Sequence, residues 1–519
     1  MKIMSEKFRI VIGICFIIVL TGIFVGFGKR TTHSSIITAD TILYVEVTNE
    51  NLPAGIVNGP GMDVESADLD GDGDVDIVIA NEYQPNRILL NDGTGKFTNA
   101  TGRLPVKNLD SEEIAIADLN SDGFLDLVFA TEDHRVHEMY LNDSLGSGYF
   151  LTDISNRLPN STANSVLAQD INGDSIPDLV FGNANPGDMP GQNLILINDG
   201  TANFTDETSS RLPAELDVTQ DIKMGDLDGD MDLDMVVGNE DGNKILINNG
   251  SGVFTNETLT RMPLSNVEET RKITLADVDG DKDLDIYFSN VVFQVGQNRQ
   301  DRLLINNGNG VFTDETFIRL PLVNSNTLDA IFVDMDLDGD LDIFTVYSFT
   351  TQQMMVFEND GDGNFSDVTN TILPTGITGQ GLGMKADYYN NDQLPDIYMV
   401  NRGTLDRLIF RIDTAKVGIN FYGTEIPQRF FLWQNYPNPF NPETKISFDI
   451  PPGNGGGLVP VKLAVYDISG KEVALLVKNE LVPGTYEYRF EGKNISGGVY
   501  FYRLETPGFS ETRKMVLLK

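Results

Sequence analysis

The chain has 519 residues, of which 77 are Asp or Glu and 37 are Lys or Arg, so its formal net charge is −40. This excess of acid argues against a nucleic-acid partner, because affinity for nucleic acid comes from Lys and Arg that neutralise phosphates. It suits a protein that holds divalent cations or that stays soluble outside the cell. The length predicts a large folded region with an appendage.

The first thirty residues carry an apolar run flanked by basic residues. Residues 10–27 contain no charged side chain. This pattern predicts a Sec-type signal peptide over residues 1–30. The run is also long enough to span a bilayer and no A-x-A cleavage site follows it, so an uncleaved membrane anchor is the alternative. The single cysteine, Cys15, lies within the run, so disulfides do not hold the rest of the chain together.

A nine-residue acidic phrase recurs along the chain and marks an internal repeat. Successive copies begin about 50 to 57 residues apart, a spacing typical of one propeller blade. We number the copies as loops 1–7. The six clear copies are 68–76, 118–126, 170–178, 226–234, 277–285 and 334–342, and a blurred seventh copy is 387–396.

A second phrase, exemplified by ILINNGSGVFTNET at 245–258, alternates with the first and in most copies runs on into Arg-Leu-Pro. Each unit then divides into four short apolar strands, with a Gly-x-Gly hairpin turn between the third and the fourth. Such evenly spaced strands predict four-stranded blades around a channel. A solenoid is the structural alternative.

The two ends of the repeat region predict how the ring closes. The unit that holds loop 7 lacks a clear fourth strand, and a matching segment, YVEVTNENLP at 44–53, precedes loop 1. A blade built from both ends would remove the exposed strand edges of an open array. Six whole repeats and one split repeat therefore predict an all-β, seven-bladed β-propeller over residues 41–415, with 44–53 paired into the blade that holds 396–412.

Oxygen-bearing side chains stand at positions 1, 3, 5 and 9 of all six clear loops. A hard cation collects six or seven oxygens from such a turn, and position 7 can add a backbone carbonyl. Without a cation, three or four carboxylates so close together would repel one another. We therefore predict about six Ca²⁺ sites, and a metal-free acidic turn is the alternative; Mg²⁺ fits less well, because it demands a strict octahedron and keeps its waters. The predicted ligands are Asp68, Asp70, Asp72, Asp74 and Asp76 in loop 1, Asp118, Asn120, Asp122 and Asp126 in loop 2, Asp170, Asn172, Asp174 and Asp178 in loop 3, Asp226, Asp228, Asp230 and Asp234 in loop 4, Asp277, Asp279, Asp281 and Asp285 in loop 5, and Asp334, Asp336, Asp338 and Asp342 in loop 6.

The loops are not equivalent. Loops 1, 4, 5 and 6 carry four carboxylates at positions 1, 3, 5 and 9, whereas loops 2 and 3 carry three, which predicts weaker binding if charge dominates. Loop 7 has one extra residue and a tyrosine, Tyr388 or Tyr389, where an acid belongs. It retains Asp392 and Asp396 but is not counted among the six sites.

These loops and the alternating hairpin phrases resemble the FG-GAP/VCBS repeats of integrin α-subunit propellers and of many bacterial secreted proteins. The resemblance covers residues 41–415 and implies a seven-bladed propeller with calcium in loops on one rim. It leaves the ligand open, because this fold serves many functions.

The pattern changes after about residue 422. A linker over 416–429 leads to residues 430–519, whose alternating apolar strands and glycine turns predict a small C-terminal β-sandwich. Their QNYPNPFNP opening, YDISGK and GVYFY stretches and basic-apolar tail closely resemble the type A C-terminal sorting domain of the type IX secretion system of certain Gram-negative bacteria. The resemblance implies Sec export with a cleaved signal peptide, outer-membrane passage through the type IX machinery, and removal of the domain with release or surface attachment. An adhesive β-sandwich module is the alternative.

No G-x-S-x-G, H-E-x-x-H or phosphate-cradling motif occurs. The three histidines are His33, His134 and His137; the last two lie where a strand is expected and are interpreted as surface residues. The sequence therefore predicts a secreted or cell-surface, calcium-binding and non-catalytic adhesion or binding protein, whose unknown ligand is a glycan or a protein. It would meet a membrane only through its signal segment or its surface attachment. A carbohydrate-active enzyme on the same ring, a glycosidase or a polysaccharide lyase, is the alternative, because an acid-rich chain offers many carboxylate pairs.

Overall fold

The structure is a computed structural model that describes residues 43–518, apart from gaps at 56–58, 133–134, 144, 186, 188, 264–267, 294–296, 324, 348–351, 375, 413–418, 423–426, 452–458 and 482–483. The predicted signal peptide, part of the predicted linker, His33 and His134 lie outside the described residues. No helix within the described ranges has the length and apolar character needed to cross a membrane.

Seven antiparallel sheets, here sheets 1–7, follow one another along the described chain from residue 44 to residue 411. In each sheet an acidic loop joins the first strand to the second. Sheet 1 consists of Gly61–Ala67, Asp76–Asn81, Arg87–Asn91 and Phe97–Asn99, sheet 2 of Ser111–Ala117, Asp126–Thr131, Glu138–Leu141 and Thr152–Asp153, sheet 3 of Thr162–Gln169, Asp178–Asn185, Leu194–Asn198 and Phe204–Asp206, sheet 4 of Thr219–Gly225, Asp234–Asn239, Lys244–Asn248 and Phe254–Asn256, sheet 5 of Glu269–Ala276, Asp285–Val291, Arg302–Asn306 and Phe312–Asp314, sheet 6 of Thr327–Val333, Asp342–Tyr347, Met355–Asn359 and Phe365–Asp367, and sheet 7 of Gly381–Asp387, Asp396–Asn401, Arg407–Arg411 and Tyr44–Glu46. The short strand Met189–Pro190 adds to sheet 3, and Gln352–Gln353 pairs with Thr378–Gly379.

A short helical turn follows the fourth strand of each sheet, and the recurring Phe-Thr-Asp-x-Thr phrase explains it. In sheet 5, the side chain of Asp314 accepts a hydrogen bond from the backbone N–H of Thr316 and so starts the turn. The Thr316 hydroxyl accepts one from the backbone N–H of Leu303 in the third strand. The phrase therefore ties the turn back onto its own sheet. The turns are Thr48–Asn51, Thr101–Arg103, Ser155–Arg157, Thr208–Arg211, Thr258–Arg261, Thr316–Arg319 and Thr369–Ile372.

The first strands of the seven sheets form a closed circle. Each packs against the first strand of the next sheet, and Gly381–Asp387 of sheet 7 packs against Gly61–Ala67 of sheet 1. Hydrogen bonds cross these junctions: Asp63 accepts from the backbone N–H of Ile114, and Asp329 accepts from that of Met384. The buried apolar side chains of the second and third strands fill the spaces between adjacent sheets. The all-β prediction is confirmed, and the arrangement is β-propeller-like.

Both ends of the repeat region contribute to sheet 7. Tyr44–Glu46 pairs with Arg407–Arg411, with Tyr44 opposite Arg411 and Glu46 opposite Ile409. The pairing predicted for 44–53 is confirmed over its first three residues, whereas Thr48–Asn51 forms a helical turn. Tyr44 and Val45 are buried, so this strand also seals the core on either side of sheet 7.

Removing residues 41–53 should leave the strand Arg407–Arg411 without its outer partner. An unpaired edge is a template for another chain, so we expect dimers and larger aggregates. Size-exclusion chromatography with light scattering measures the mass, and a truncation of residues 31–40 serves as the control. A truncated protein with the mass and melting temperature of the control would contradict this closure.

The C-terminal segment forms two further four-stranded antiparallel sheets that share one hydrophobic cluster, in which Ile446 and Phe448 of one sheet meet Leu463 and Met515 of the other. The Asn of the QNYP motif is buried beneath them: the backbone N–H of Asn435 donates to the Tyr502 hydroxyl at 2.7 Å. The first sheet consists of Ile419–Tyr422, Gly484–Glu491, Glu443–Ile450 and Phe431–Leu432, and the second of Glu472–Leu481, Val459–Tyr466, Gly498–Thr506 and Phe509–Leu517; a helical turn spans Gly492–Asn494.

The interpretation of His137 as a surface residue is wrong. The side chain is 1% exposed, and its ring stacks on Phe181 of sheet 3. Its Nδ1 accepts a hydrogen bond from the backbone N–H of Thr131, and its Nε2 lies 2.8 Å from the Ser161 hydroxyl. Burial lowers the pKa of His137 to about 4, so the ring is neutral and packs between sheets 2 and 3.

Candidate metal centres

Each of the six clear acidic loops contains two residues in the left-handed conformation, at positions 4 and 6. In loop 1 both are glycines, Gly71 and Gly73, with φ of 76° and 93°. Elsewhere a residue with a side chain fills one of the two places, as Met231 does in loop 4 at φ 73°. Two such residues close together coil the loop tightly and turn its odd-numbered side chains towards one another.

The position-1 aspartate holds this coil in place. In loop 1, Asp68 Oδ1 accepts a hydrogen bond from the backbone N–H of Gly71, and Oδ2 accepts one from that of Gly73. Asp226 and Asp277 make the equivalent pair of bonds in loops 4 and 5. The carboxylate therefore bonds to the same two left-handed positions in each case.

The position-9 aspartate begins the second strand and is buried. In loop 1, Asp76 Oδ2 accepts from the backbone N–H of Leu69 at 3.1 Å, and Oδ1 accepts from that of Asn91 at 2.9 Å. Burial raises the pKa of Asp76 to about 7 and that of Asp342, its equivalent in loop 6, to about 8, although these backbone hydrogen bonds act to lower both values. A buried carboxylate of this kind is stable as an anion only beside a compensating positive charge.

Four of the loops bring three carboxylates within reach of one ion, with ligand oxygens all within 4.8 Å of one another. They are loops 1, 4, 5 and 6, the loops with four carboxylates. Each also contains a buried carboxylate oxygen that accepts no hydrogen bond in the described part of the chain: Oδ1 of Asp70, Asp228, Asp279 and Asp334. The groups are Asp68, Asp70 and Asp76; Asp226, Asp228 and Asp230; Asp277, Asp279 and Asp285; and Asp334, Asp336 and Asp342.

An arginine from the Arg-Leu-Pro phrase, or from its variant Arg-Met-Pro at 261–263, orients the position-3 aspartate in three of these loops. In sheet 4, Arg261 donates to Asp228 Oδ2 at 3.1 Å and to the backbone carbonyl of Asn309, in the hairpin of sheet 5, at 2.7 Å. Arg103 and Arg319 bridge loops 1 and 5 to the next hairpin in the same way. Because the guanidinium takes Oδ2, Oδ1 remains for an ion.

Where position 3 is asparagine, the arginine bonds differently. Arg157, in sheet 2, donates to the carbonyls of Thr201 and Ala202, while Asn120 donates to the carboxylate of Asp122 within loop 2. Asn172 makes the equivalent bond to Asp174 in loop 3. Loops 2 and 3 do not bring three carboxylates together among the described residues.

Two further predicted positions lie apart from these groups. The carboxylate of Asp74, at position 7 of loop 1, accepts a hydrogen bond from the Asn391 side chain of loop 7 at 2.9 Å. In loop 7, Tyr389 is buried in the core, and Asp396 accepts a hydrogen bond from the backbone N–H of Arg411. Asp392 and Asp396 belong to none of the acidic groups formed by the described residues.

The donor set fits calcium. Its ligands are carboxylate oxygens in a coiled loop, which is the chemistry that Ca²⁺ prefers, and one oxygen per site lacks a protein partner. The position-3 aspartate would supply that oxygen in loops 1, 4 and 5, and the position-1 aspartate, Asp334, would supply it in loop 6. The predicted calcium sites in loops 1, 4, 5 and 6 therefore have a structural basis.

Sequence inspection missed one acidic group, formed by Asp110, Glu112 and Glu132 of sheet 2. Asp110 and Glu112 lie at the start of the first strand of sheet 2, and Glu132 follows the end of the second strand. The three come together because Ser111 pairs with Thr131. Burial, with the nearby carboxylates of Glu132 and Asp110, raises the pKa of Glu112 well above its ordinary value. The sequence shows Glu112 next to Glu113, but only the strand register places Glu132 beside Glu112.

Fold and loops together define a repeat protein whose propeller-like sheets each carry an acidic loop, and four of these loops bring three carboxylates within reach of one ion. The FG-GAP-like repeat family model matches residues 68–129, 118–181, 170–237, 226–288 and 334–399. The chain belongs to this family. Residues 434–518 match the secretion system C-terminal sorting domain, which indicates secretion or cell-surface localisation.

No curated protein shows significant similarity to the chain. Similar solved structures include an Agrocybe aegerita lectin that recognises non-reducing terminal N-acetylglucosamine, with 18% identity and a TM-score of 0.39, covering 66% of this chain and 86% of that chain. Another is PorZ, a surface component of the type IX secretion system of Porphyromonas gingivalis, with 12% identity and a TM-score of 0.43. That likeness covers 90% of this chain and 61% of PorZ. With TM-scores this low, neither likeness bears on what this chain binds.

Proposed function

We propose that the protein is an extracellular seven-bladed β-propeller, stabilised by calcium, that binds a surface ligand without catalysis after export through type IX secretion. The seven sheets are its blades, and the two C-terminal sheets are a β-sandwich that the secretion machinery recognises. The observation that carries the proposal is the repeated loop with an unpartnered, buried carboxylate oxygen, present at Asp70, Asp228, Asp279 and Asp334. Calcium is abundant outside cells, where modules of this kind bind it with dissociation constants of about 10⁻⁴ to 10⁻³ M.

A calcium-loaded ring is suited to binding because its charges are fixed and its strand edges are covered. Three of the four candidate calcium loops lie between two sheets, since Arg103, Arg261 and Arg319 bond both to the loop and to the next hairpin. An ion at Asp228 would thereby tighten the junction of two blades. Rigid blades hold loop residues in one arrangement, which favours affinity by lowering the entropic cost of binding.

One observation favours the alternative, a carbohydrate-active enzyme. Glu112, with its raised pKa, lies beside Glu132, and such a pair can serve as acid and base. Glycan and surface-polymer arrays, run with and without a calcium chelator, separate the two candidates. Retention that depends on calcium and leaves the polymer intact supports the binding function, whereas turnover supports the enzyme.

Export should remove both ends of the chain. In a type IX-competent bacterium, we expect secreted or surface protein that begins after about residue 27 and lacks residues 430–519, because these segments are the predicted signal peptide and the sorting domain. Mass spectrometry of the termini in culture supernatant and surface fractions measures this. A chain without residues 430–519 should stay in the periplasm. Full-length protein confined to the inner membrane would instead support the anchor.

A further inference from the structure

The first strand of every sheet contains a β-bulge at an equivalent position. In sheet 1 the pairing shifts between Gly61 and Asp63, and in sheet 5 between Thr270 and Lys272. The other five sheets shift in the same place. A bulge leaves one residue without a cross-strand partner and re-aims its side chain. Repetition around the circle therefore points one side chain from each sheet towards the same region.

These bulge side chains line a cavity of about 160 Å³ on the axis of the circle. The cavity lies at the start of the first strands, whereas the acidic loops follow their ends, so it faces away from the candidate calcium sites. Sheets 2 to 5 contribute polar side chains: Glu112, Asn164, Gln220 and Arg271. The bulges of sheets 6, 7 and 1 contribute apolar ones: Leu328, Leu382 and Met62. Lys272 of sheet 5 and Arg402, which follows the second strand of sheet 7, complete the lining.

The division into two halves is not a consequence of the repeat. If this position served only the fold, one type of residue would suffice in every sheet. The seven equivalent positions instead carry six different residue types. The polar residues are contiguous around the circle, and so are the apolar ones. The cavity is therefore amphipathic, with a hydrogen-bonding wall opposite an apolar wall.

Charged side chains close the cavity on its inner side. Glu113 of sheet 2 accepts hydrogen bonds from Lys223 of sheet 4 at 3.1 Å and from Lys272 of sheet 5 at 2.9 Å. Lys272 also lies 3.6 Å from Asp63 of sheet 1. These bonds join sheets that are not neighbours, so they span the interior of the circle and make the cavity a blind pocket.

We propose that this axial cavity binds a single neutral sugar ring at the end of a glycan, an assignment that rests on the proposed binding function. A pyranose ring has an apolar C–H face and a hydroxyl edge, which match the two walls. The Gln220 side chain accepts from Arg271 and donates to Glu240, and the Asn164 side chain donates to the backbone carbonyl of Thr219. Each amide therefore keeps one N–H and acceptor capacity for sugar hydroxyls. The volume is below the roughly 300–1,000 Å³ of typical pockets for larger ligands, and a blind pocket admits a chain end.

The charges favour a neutral sugar over an acidic one. Arg271 is already paired with Glu269 at 2.9 Å and donates to the Gln220 side chain at 2.6 Å. Arg402 is paired with Glu82. The guanidinium of Arg271 also lies over the ring of Phe293, which is half exposed and offers an apolar surface next to Arg271.

The test titrates the full-length, calcium-loaded protein with methyl glycosides of a neutral hexose, a neutral 6-deoxyhexose, an N-acetylhexosamine and a hexuronic acid. Binding is followed by calorimetry and by the methyl NMR signal of Met62, assigned with Met62→Leu. We expect a neutral glycoside to bind and to shift that signal. Gln220→Ala should weaken binding about tenfold, a loss of about 1.4 kcal/mol, while Gln393→Ala, the same change on exposed loop 7, should not. Melting temperatures of both variants verify folding.

The outcomes separate the two proposals. If arrays show a ligand but no neutral glycoside moves the Met62 signal, or Gln220→Ala binds like Gln393→Ala, the cavity assignment is overturned and the binding function stands. Binding of the hexuronic acid alone overturns the neutral-sugar assignment. Cleavage of a glycoside overturns the non-catalytic function and leaves the cavity as the site.

Discussion

Chelation of calcium should lower the melting temperature of the wild-type protein by a large and reproducible amount. A ligand that binds only the folded state at 100 times its dissociation constant adds about 2.7 kcal/mol per site. The four loops with three adjacent carboxylates would together add roughly 11 kcal/mol if they were independent. Thermal melting in about 10–100 mM calcium, which is 100 times a dissociation constant of about 10⁻⁴ to 10⁻³ M, and in excess chelator measures the difference. An unchanged melting temperature would show that these loops are not metal sites.

A pair of variants locates this effect in the loops. Asp228→Ala removes the unpartnered oxygen of loop 4 and should cost about 2.7 kcal/mol in saturating calcium. In chelator the variant should lose only its ion pair with Arg261, which costs about 0–1 kcal/mol. Asn172→Ala, at the same position of loop 3, is the matched control. Equal losses from both variants in calcium would contradict the expected ranking of the loops.

Glu113→Gln should destabilise the ring by about 1.5–3 kcal/mol, the usual contribution of a hydrogen bond to a charged group, because Lys223 keeps Asp221 at 3.1 Å and Lys272 keeps Asp63 at 3.6 Å. The variant keeps the shape of the side chain but leaves Lys223 and Lys272 without their shared carboxylate. Urea unfolding measures the loss. Glu472→Gln is the control: its ion pair with Lys462 is exposed, and losing it should cost about 0–1 kcal/mol. Similar losses for the two variants would show that the axial ion pairs do not hold the circle together.

The Glu113 carboxylate should also make the stability of the folded state depend on pH. Burial alone would raise the pKa of Glu113, but the ammonium groups of Lys223 and Lys272 outweigh burial and lower it to about 2. A lowered pKa stabilises the folded state above the unfolded value of about 4.3, and this stabilisation is lost as the pH falls from there towards 2. Burial raises the pKa of Asp221 to about 6 and that of Asp329 to about 7. These two groups therefore favour the folded state as the pH falls, which is opposite to the effect of Glu113. The difference between wild type and Glu113→Gln is therefore the quantity to follow: it should shrink as the solution is acidified.

The sequence by itself determined the features that depend on local spacing. The period of the acidic loops gave the succession of sheets, and the phrase at 44–53 gave the closing strand, because strand alternation, turn glycines and Asx turns act over a few residues. Carboxylate counts separated loops 1, 4, 5 and 6 from loops 2 and 3, and the same four loops bring their acids together. The sorting domain was visible for the same reason: its motifs are contiguous.

Only the tertiary structure decided which atoms face one another across sheets. Arg261 meets Asp228, which lies 33 positions away in the sequence, and Lys272 meets Glu113, which lies 159 positions away. His137 has polar neighbours in the chain, yet it is buried because sheet 3 covers it. The axial cavity exists because seven bulges, each of which alone is a local irregularity of pairing, are brought to one axis when the circle closes. Such contacts depend on strand register and on closure of the ring. Both are set by the packing of the whole chain and not by the residues of a single repeat.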